Sequence, residues 1–130
     1  MAIAEGRVFE FDDESKIKSD FLENFDYDGS RQEIVYETDE FSAVCPFSGL
    51  PDYAYLKIVY IPKKHIVELK SLKYYIISFR NVGIYQEKAT DRIYKDLYRC
   101  LDPEYLQITT IYNVRGGIKS TCTMDSIKHG

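Results

Sequence analysis

From Gln32 to Thr38 the chain alternates, with Ile34 and Tyr36 on one face and Glu33 and Glu37 on the other, which predicts a half-buried strand continuing toward Cys45. Tyr53 to Ile61 repeats the period with Ala54, Leu56, Ile58 and Tyr60 on one face. Pro62 ends it, because proline has no N–H to give a ladder. These two strands form a hairpin-like pair connected by the Cys45–Asp52 loop. The period then changes: Leu69, Leu72, Ile76 and Phe79 recur at three and four residues, a helix face. Ala89, Ile93, Leu97 and Leu101 mark a second helix, which Asp102-Pro103 stops; Asn81 and Gly83 form the link between the two. Alternation returns through Leu106, Ile108, Thr110, Tyr112 and Val114, breaks at Gly116-Gly117 and resumes at Ile118, Ser120, Cys122 and Met124. The order β-β-α-α-β-β predicts an α+β domain, an antiparallel sheet with two helices on one face. Its outer sheet edges stay open, so closure by homo-oligomerisation is expected.

Composition adds a boundary to this pattern. A chain of 130 residues supports one core, so residues 31–130 are expected to form a single domain. Residues 1–30 hold nine acids against Arg7, Lys16 and Lys18, a charge of −6 that leaves +2 of the overall −4 for the remainder. An acidic N-terminal arm, solvated and partly mobile, is the expected reading. Clustered acids argue against nucleic-acid binding, which needs Lys and Arg on phosphates. No apolar run approaches the length of a membrane span or a signal peptide, so a cytoplasmic location is expected.

The three cysteines, Cys45, Cys100 and Cys122, are odd in number and far apart, which makes a disulfide framework a poor explanation. No C-x-x-C or H-x-x-x-H pair is present and His65 and His129 stand in unrelated contexts, so no metal site is expected. Cys100 borders the apolar face of the second helix, and Cys122 shares a strand face with Ile118 and Met124. Both read as structural.

Cys45 differs, because Pro46 follows it and a loop with Gly49 and Pro51 separates it from Asp52. It reads either as a nucleophile whose proton Asp52 takes or relays, or as a small buried hydrophobe. Lys70 and Lys73 lie on one helix face, suited to a phosphorylated ligand or to solvent. Glu87 opens the second helix, where a carboxylate either complements the dipole or grips adjacent N–H donors of a purine-like base. Arg115-Gly116-Gly117 serves equally as a phosphate contact or a strand break. There is no G-x-G-x-x-G and no Walker loop.

Four elements in this order resemble the short, single-module 7-cyano-7-deazaguanine reductases, NADPH-dependent nitrile reductases of queuosine biosynthesis, a tRNA modification. They are Cys45-Pro46 with Gly49-x-Pro51-Asp52; Val67-Glu68-Leu69-Lys70-Ser71-Leu72-Lys73; Phe79-Arg80-Asn81 followed by Glu87; and Arg115-Gly116-Gly117-Ile118. The resemblance covers roughly residues 31–118. It implies the tunnelling fold, and Cys45 as the nucleophile that forms a covalent thioimide with the nitrile of 7-cyano-7-deazaguanine. Asp52 is implied as general acid/base, and Glu87 with Gln86 and the segment Val67-Glu68-Leu69 as the substrate pocket. Leu69, Lys70, Lys73, Arg115 and Gly116 fall where the family contacts NADPH. The family assembles as rings, typically two pentamers face to face, with active sites between subunits.

Gln86 departs from the family pattern, which usually places a histidine before the ring-binding glutamate; an amide donates a hydrogen bond but does not titrate near neutrality. Leu50 stands where many relatives have a polar residue, and the segment beyond Ile118 does not match the pattern. Two other readings stay open: a pterin or purine enzyme of the same fold, such as a zinc-dependent cyclohydrolase, and a deazapurine-binding module with reduced catalysis.

Overall fold

A computed structural model describes residues 3, 5, 6 and 9–127. Four strands, β2 (Ile34–Val44), β3 (Pro51–Ile61), β5 (Tyr105–Arg115) and β6 (Ile118–Asp125), pair antiparallel in the order β2-β3-β5-β6. A small second sheet pairs β1 (Asn24–Asp26) with β4 (His65–Val67). Between β4 and β5 run α1 (Leu69–Ile77) and α2 (Gln86–Leu101). This is the expected α+β arrangement, with β1 and β4 as additions that three-residue strands leave invisible to periodicity.

Along β3, the first part of β5 and α2 the periodicity matches burial, whereas Ile118 of β6 is 71% exposed. Ala54, Leu56, Ile58 and Tyr60 of β3 and Leu106, Ile108 and Tyr112 of β5 face the core, meeting Ala89, Ile93, Leu97 and Leu101 of α2. A 2.6 Å hydrogen bond between Thr90 Oγ1 and Thr110 Oγ1 fixes α2 on β5 inside this apolar layer. Between the helices, the buried Asp96 accepts from the Tyr75 hydroxyl at 2.7 Å and pairs with Arg92 and Arg99. Phe79 lies just beyond α1, buried edge-on against Phe41 and Tyr75 with ring centroids 5.3 Å away in each case. Asp102 ends α2 in the left-handed region, φ 42°, because Pro103 bars the helical conformation.

Two irregularities shape the functional end. One extra residue enters β2 between Thr38 and Phe41, and another enters β5 between Tyr112 and Arg115. Because side chains alternate, each bulge reverses the parity of everything after it. Val114, expected on the buried face, is accordingly 61% exposed. Arg115, itself exposed, directs its guanidinium to the buried Asp52. Gly116 and Gly117, both with positive φ, close the β5–β6 hairpin as a tight turn.

The described part of the acidic segment lies along the domain and does not project from it. Ile17 joins the core, Asp12 bridges to Val82, and the Gly83 N–H donates to the Asp12 carbonyl at 2.8 Å. Most of its acids sit outward; Ile17 is buried and Phe11 and Leu22 are half-buried, while Phe9, Phe21 and Phe25 stay exposed. Among the described residues, no helix is long and apolar enough to cross a membrane.

Candidate active site

Cys45 is held by its hairpin. Its N–H donates to the Leu50 carbonyl at 2.9 Å, its carbonyl accepts from the Gly49 N–H at 2.8 Å, and behind them Ala43 pairs with Asp52. Gly49 makes the turn at φ +74°, and a Cβ there would lie 2.3 Å from the Phe9 carbonyl oxygen. Only glycine meets both conditions. Thus the N-terminal segment braces the loop that carries the thiol.

The half-buried Cys45 thiol titrates below its ordinary value: burial pushes it up, as does the Asp52 charge, but the backbone N–H groups of Ser48 and Phe47 and the Ser48 hydroxyl outweigh both. Hydrogen bonds to sulfur favour the thiolate. Asp52 moves in the other direction. It is only 7% exposed, and burial raises its pKa although Arg115 Nη1, 3.0 Å from Oδ1, opposes the rise. Arg115 also donates to the Pro51 carbonyl, so the guanidinium clamps the start of β3. The result is a thiol shifted toward its charged form beside an acid shifted toward its neutral form.

The first turn of α2 stands over the same end of the sheet. Ile84 N–H donates to the Val44 carbonyl at 3.0 Å, delivering Gln86 and Glu87 beside the Cys45 hairpin. Gln86 is half-buried and Glu87 exposed, at the helix N-terminus where a carboxylate is favoured.

The remaining candidates lie elsewhere. Val67 N–H donates to the Tyr60 hydroxyl at 3.2 Å, and Tyr60 is eight residues along β3 from Asp52, about 26 Å at the strand rise. Val67 and, next to it, Glu68 therefore lie toward the opposite end of the protomer from Cys45, Asp52, Gln86, Glu87, Arg115 and Gly116, while Leu69 and Lys73 line a groove between α1 and the sheet with Thr38, Leu56 and Ile58, part-way along it. Glu68 caps α1, accepting from the Lys70 and Ser71 N–H groups at 2.7 and 2.9 Å. Those donors are thus already used, and any anion at this end meets the Lys70 and Lys73 ammonium groups. Both lysines are exposed and neither joins an ion pair among the described residues, although Lys70 lies 5.7 Å above the Tyr74 ring.

Sequence reasoning did not anticipate the Arg115–Asp52 pair, since the bulge that creates it has no signature in hydrophobic pattern. It also passed over Tyr112, a core-face residue whose buried hydroxyl makes no hydrogen bond among the described residues. Cys100 and Cys122 are half-buried at the margin of the core, and burial raises the Cys100 thiol's pKa. Among the described residues no cluster of His, Cys, Asp or Glu is arranged to hold a metal ion. His65 lies 3.6 Å from Asp26, at the far end from Cys45, and His129 is outside the described residues.

The family model described as QueF-like protein matches residues 51–130. Proteins of Thermotoga petrophila and Thermotoga maritima named NADPH-dependent 7-cyano-7-deazaguanine reductase are each 58% identical over 129 residues, covering 98% of this chain and 94% of theirs. A protein of the same name from Caldanaerobacter subterraneus is 49% identical over 114 residues, covering 86% of this chain and 85% of its own. These matches run beyond both limits of the segment 31–118 delimited by the motifs, so the end beyond Ile118 belongs to the similarity. The crystal structure of the archaeosine synthase QueF-Like in the apo form superposes with a TM-score of 0.66 at 19% identity, covering 77% of this chain and 96% of that one, and so shares the fold.

Proposed function

The chain belongs to the QueF-like protein family, and from that premise we propose that it is an oxidoreductase, reducing the nitrile of 7-cyano-7-deazaguanine to the aminomethyl compound with NADPH as a step of queuosine biosynthesis. The observation that carries the mechanism is the pair of opposed shifts at Cys45 and Asp52. Addition to a nitrile needs a thiolate at carbon and a proton for nitrogen, and here one group is moved toward each role.

The Cys45 sulfur forms the C–S bond as a nitrile π bond opens. Asp52 gives its proton to the nitrogen, leaving a neutral thioimide and an aspartate charge facing Arg115. NADPH, when bound, supplies hydride for two successive reductions. Asp52, once reprotonated, serves the later proton transfers, and Cys45 leaves as thiolate when the C–S bond breaks. Glu87 grips the adjacent N–H donors of the ring as an acceptor pair. Lys70 and Lys73, exposed and outside any ion pair, suit the cofactor's phosphates, whereas Arg115 has its guanidinium on Asp52 and Pro51.

The distance of Val67 from Asp52, with Tyr60 about 26 Å along β3, supports a site completed by a second copy of the chain. One protomer supplies Cys45, Asp52, Gln86, Glu87 and Arg115. Its neighbour supplies Val67, Glu68, Leu69, Lys70 and Lys73. The open edges of β2 and β6 provide surfaces through which such copies associate.

The test mixes protein with 7-cyano-7-deazaguanine without NADPH and records the intact mass. An adduct of the ligand's mass that is absent in Cys45→Ala is expected, and NADPH added afterwards is consumed only with the nitrile present. No adduct under any condition removes the thioimide mechanism. An adduct with no NADPH consumption would identify a binding module.

A further inference from the structure

Tyr112 is 3% exposed and its hydroxyl has no hydrogen-bond partner among the described residues. A phenylalanine would fill the same space without burying an unpaired polar atom, so the hydroxyl contributes nothing visible to this fold. Its surroundings point to another use. Tyr112 pairs with Ala54 on one side and Ser120 on the other. Asp52 is thus its diagonal neighbour on β3, and Cys122 on β6.

Above the sheet, the Thr90–Thr110 hydrogen bond sets the register of α2 on β5. Gln86 and Glu87 lie one turn before Thr90, and Tyr112 lies two residues beyond Thr110, toward the same end of the molecule. The tyrosine therefore sits between Asp52, at the thiol end of the site, and the α2 turn that carries Glu87. Together with burial and Cys122, these two carboxylates raise its pKa, so the phenol stays protonated and acts as a donor.

We propose that Tyr112 is a substrate-contact residue whose hydroxyl donates to the ring carbonyl oxygen of 7-cyano-7-deazaguanine. This rests on the proposed function, in which Cys45 takes the nitrile carbon and Glu87 the N–H edge. On that ring the carbonyl lies between the nitrile substituent and the N–H edge, as Tyr112 lies between the residues that receive them. The contact selects a carbonyl at this position, since an amino group there would present a second donor to the phenol.

The experiment measures non-covalent binding by calorimetry to Cys45→Ala and to Cys45→Ala/Tyr112→Phe, without NADPH. The ligands are 7-cyano-7-deazaguanine and its analogue lacking the ring carbonyl oxygen. The tyrosine substitution is expected to weaken the carbonyl ligand about ten-fold. The analogue's affinity stays unchanged, and the melting temperature is equal or higher. Equal affinities for the carbonyl ligand, an equal loss for both ligands, or a lower melting temperature would overturn the contact. If wild-type protein forms the Cys45 adduct, such a result strikes Tyr112 alone; if it forms no adduct, the proposed function falls with it.

Discussion

Arg115 Nη1 lies 3.0 Å from Asp52 Oδ1, across the start of β3 from the loop that carries Cys45. This contact tempers the acid without reversing it. Burial raises the Asp52 pKa more than the guanidinium lowers it, so the carboxyl retains proton affinity while its charged form, created on proton transfer, has a cation to meet. A carboxyl left wholly alone in that position would hold its proton more strongly and release it less readily.

Asp52→Asn separates stability from chemistry. The folded chain binds the Asp52 proton more tightly than the unfolded chain, whose carboxyl keeps its ordinary value of 3.8. Stability therefore falls as pH rises through the interval from 3.8 to the folded value, and the loss persists above it. Asparagine carries no charge to desolvate. At neutral pH its melting temperature should equal or exceed that of the wild type, while adduct formation falls about 10²–10⁴-fold. Near wild-type adduct formation would remove Asp52 from the mechanism.

Removing the guanidinium tests the clamp. Arg115→Met removes the guanidinium that lowers the Asp52 pKa, so that pKa rises further. The reactive pair is thiolate with protonated acid, so where the acid titrates below the thiol the rate of adduct formation climbs with pH to a break at the Asp52 pKa, levels, and falls above the thiol's. The break should move to higher pH in the variant, measured by stopped-flow without NADPH. An unmoved break would show that the two groups are not coupled in solution.

Co-expression tests the shared site. Cys45→Ala and a Lys70→Ala/Lys73→Ala double variant each disable one half of a site assembled from two chains. Mixed assemblies restore both halves in about a quarter of sites when association is random. NADPH oxidation should recover accordingly in the co-expressed sample. Activity no greater than that of either variant alone would place all the residues within one protomer.

Gly49→Ala joins positive-φ strain to a collision with the Phe9 backbone. The expected cost is about 1–3 kcal/mol of stability, read in a denaturant titration. The Cys45 loop must also shift, so adduct formation slows even where the variant is folded. An unchanged midpoint and rate would mean that the N-terminal segment does not brace the loop.

Much of this was legible in the chain itself, because side-chain periodicity is a local consequence of backbone geometry. The faces Ala54-Leu56-Ile58-Tyr60 and Ala89-Ile93-Leu97-Leu101 are buried as their spacing requires, and Asp102-Pro103 and Gly116-Gly117 break the chain where their backbone preferences dictate. Four short motifs in order then fixed the family and with it the chemistry expected of Cys45. The tertiary structure decided the rest. Bulges in β2 and β5 are one-residue mismatches between partners distant in sequence, so no single strand announces that Arg115 turns inward to Asp52 while Val114 turns out. Burial likewise depends on what packs above a residue, which is why the opposed shifts at Cys45 and Asp52, the buried hydroxyl of Tyr112 and the distance of Val67 from Asp52 emerge only when the strands are paired and the helices laid across them.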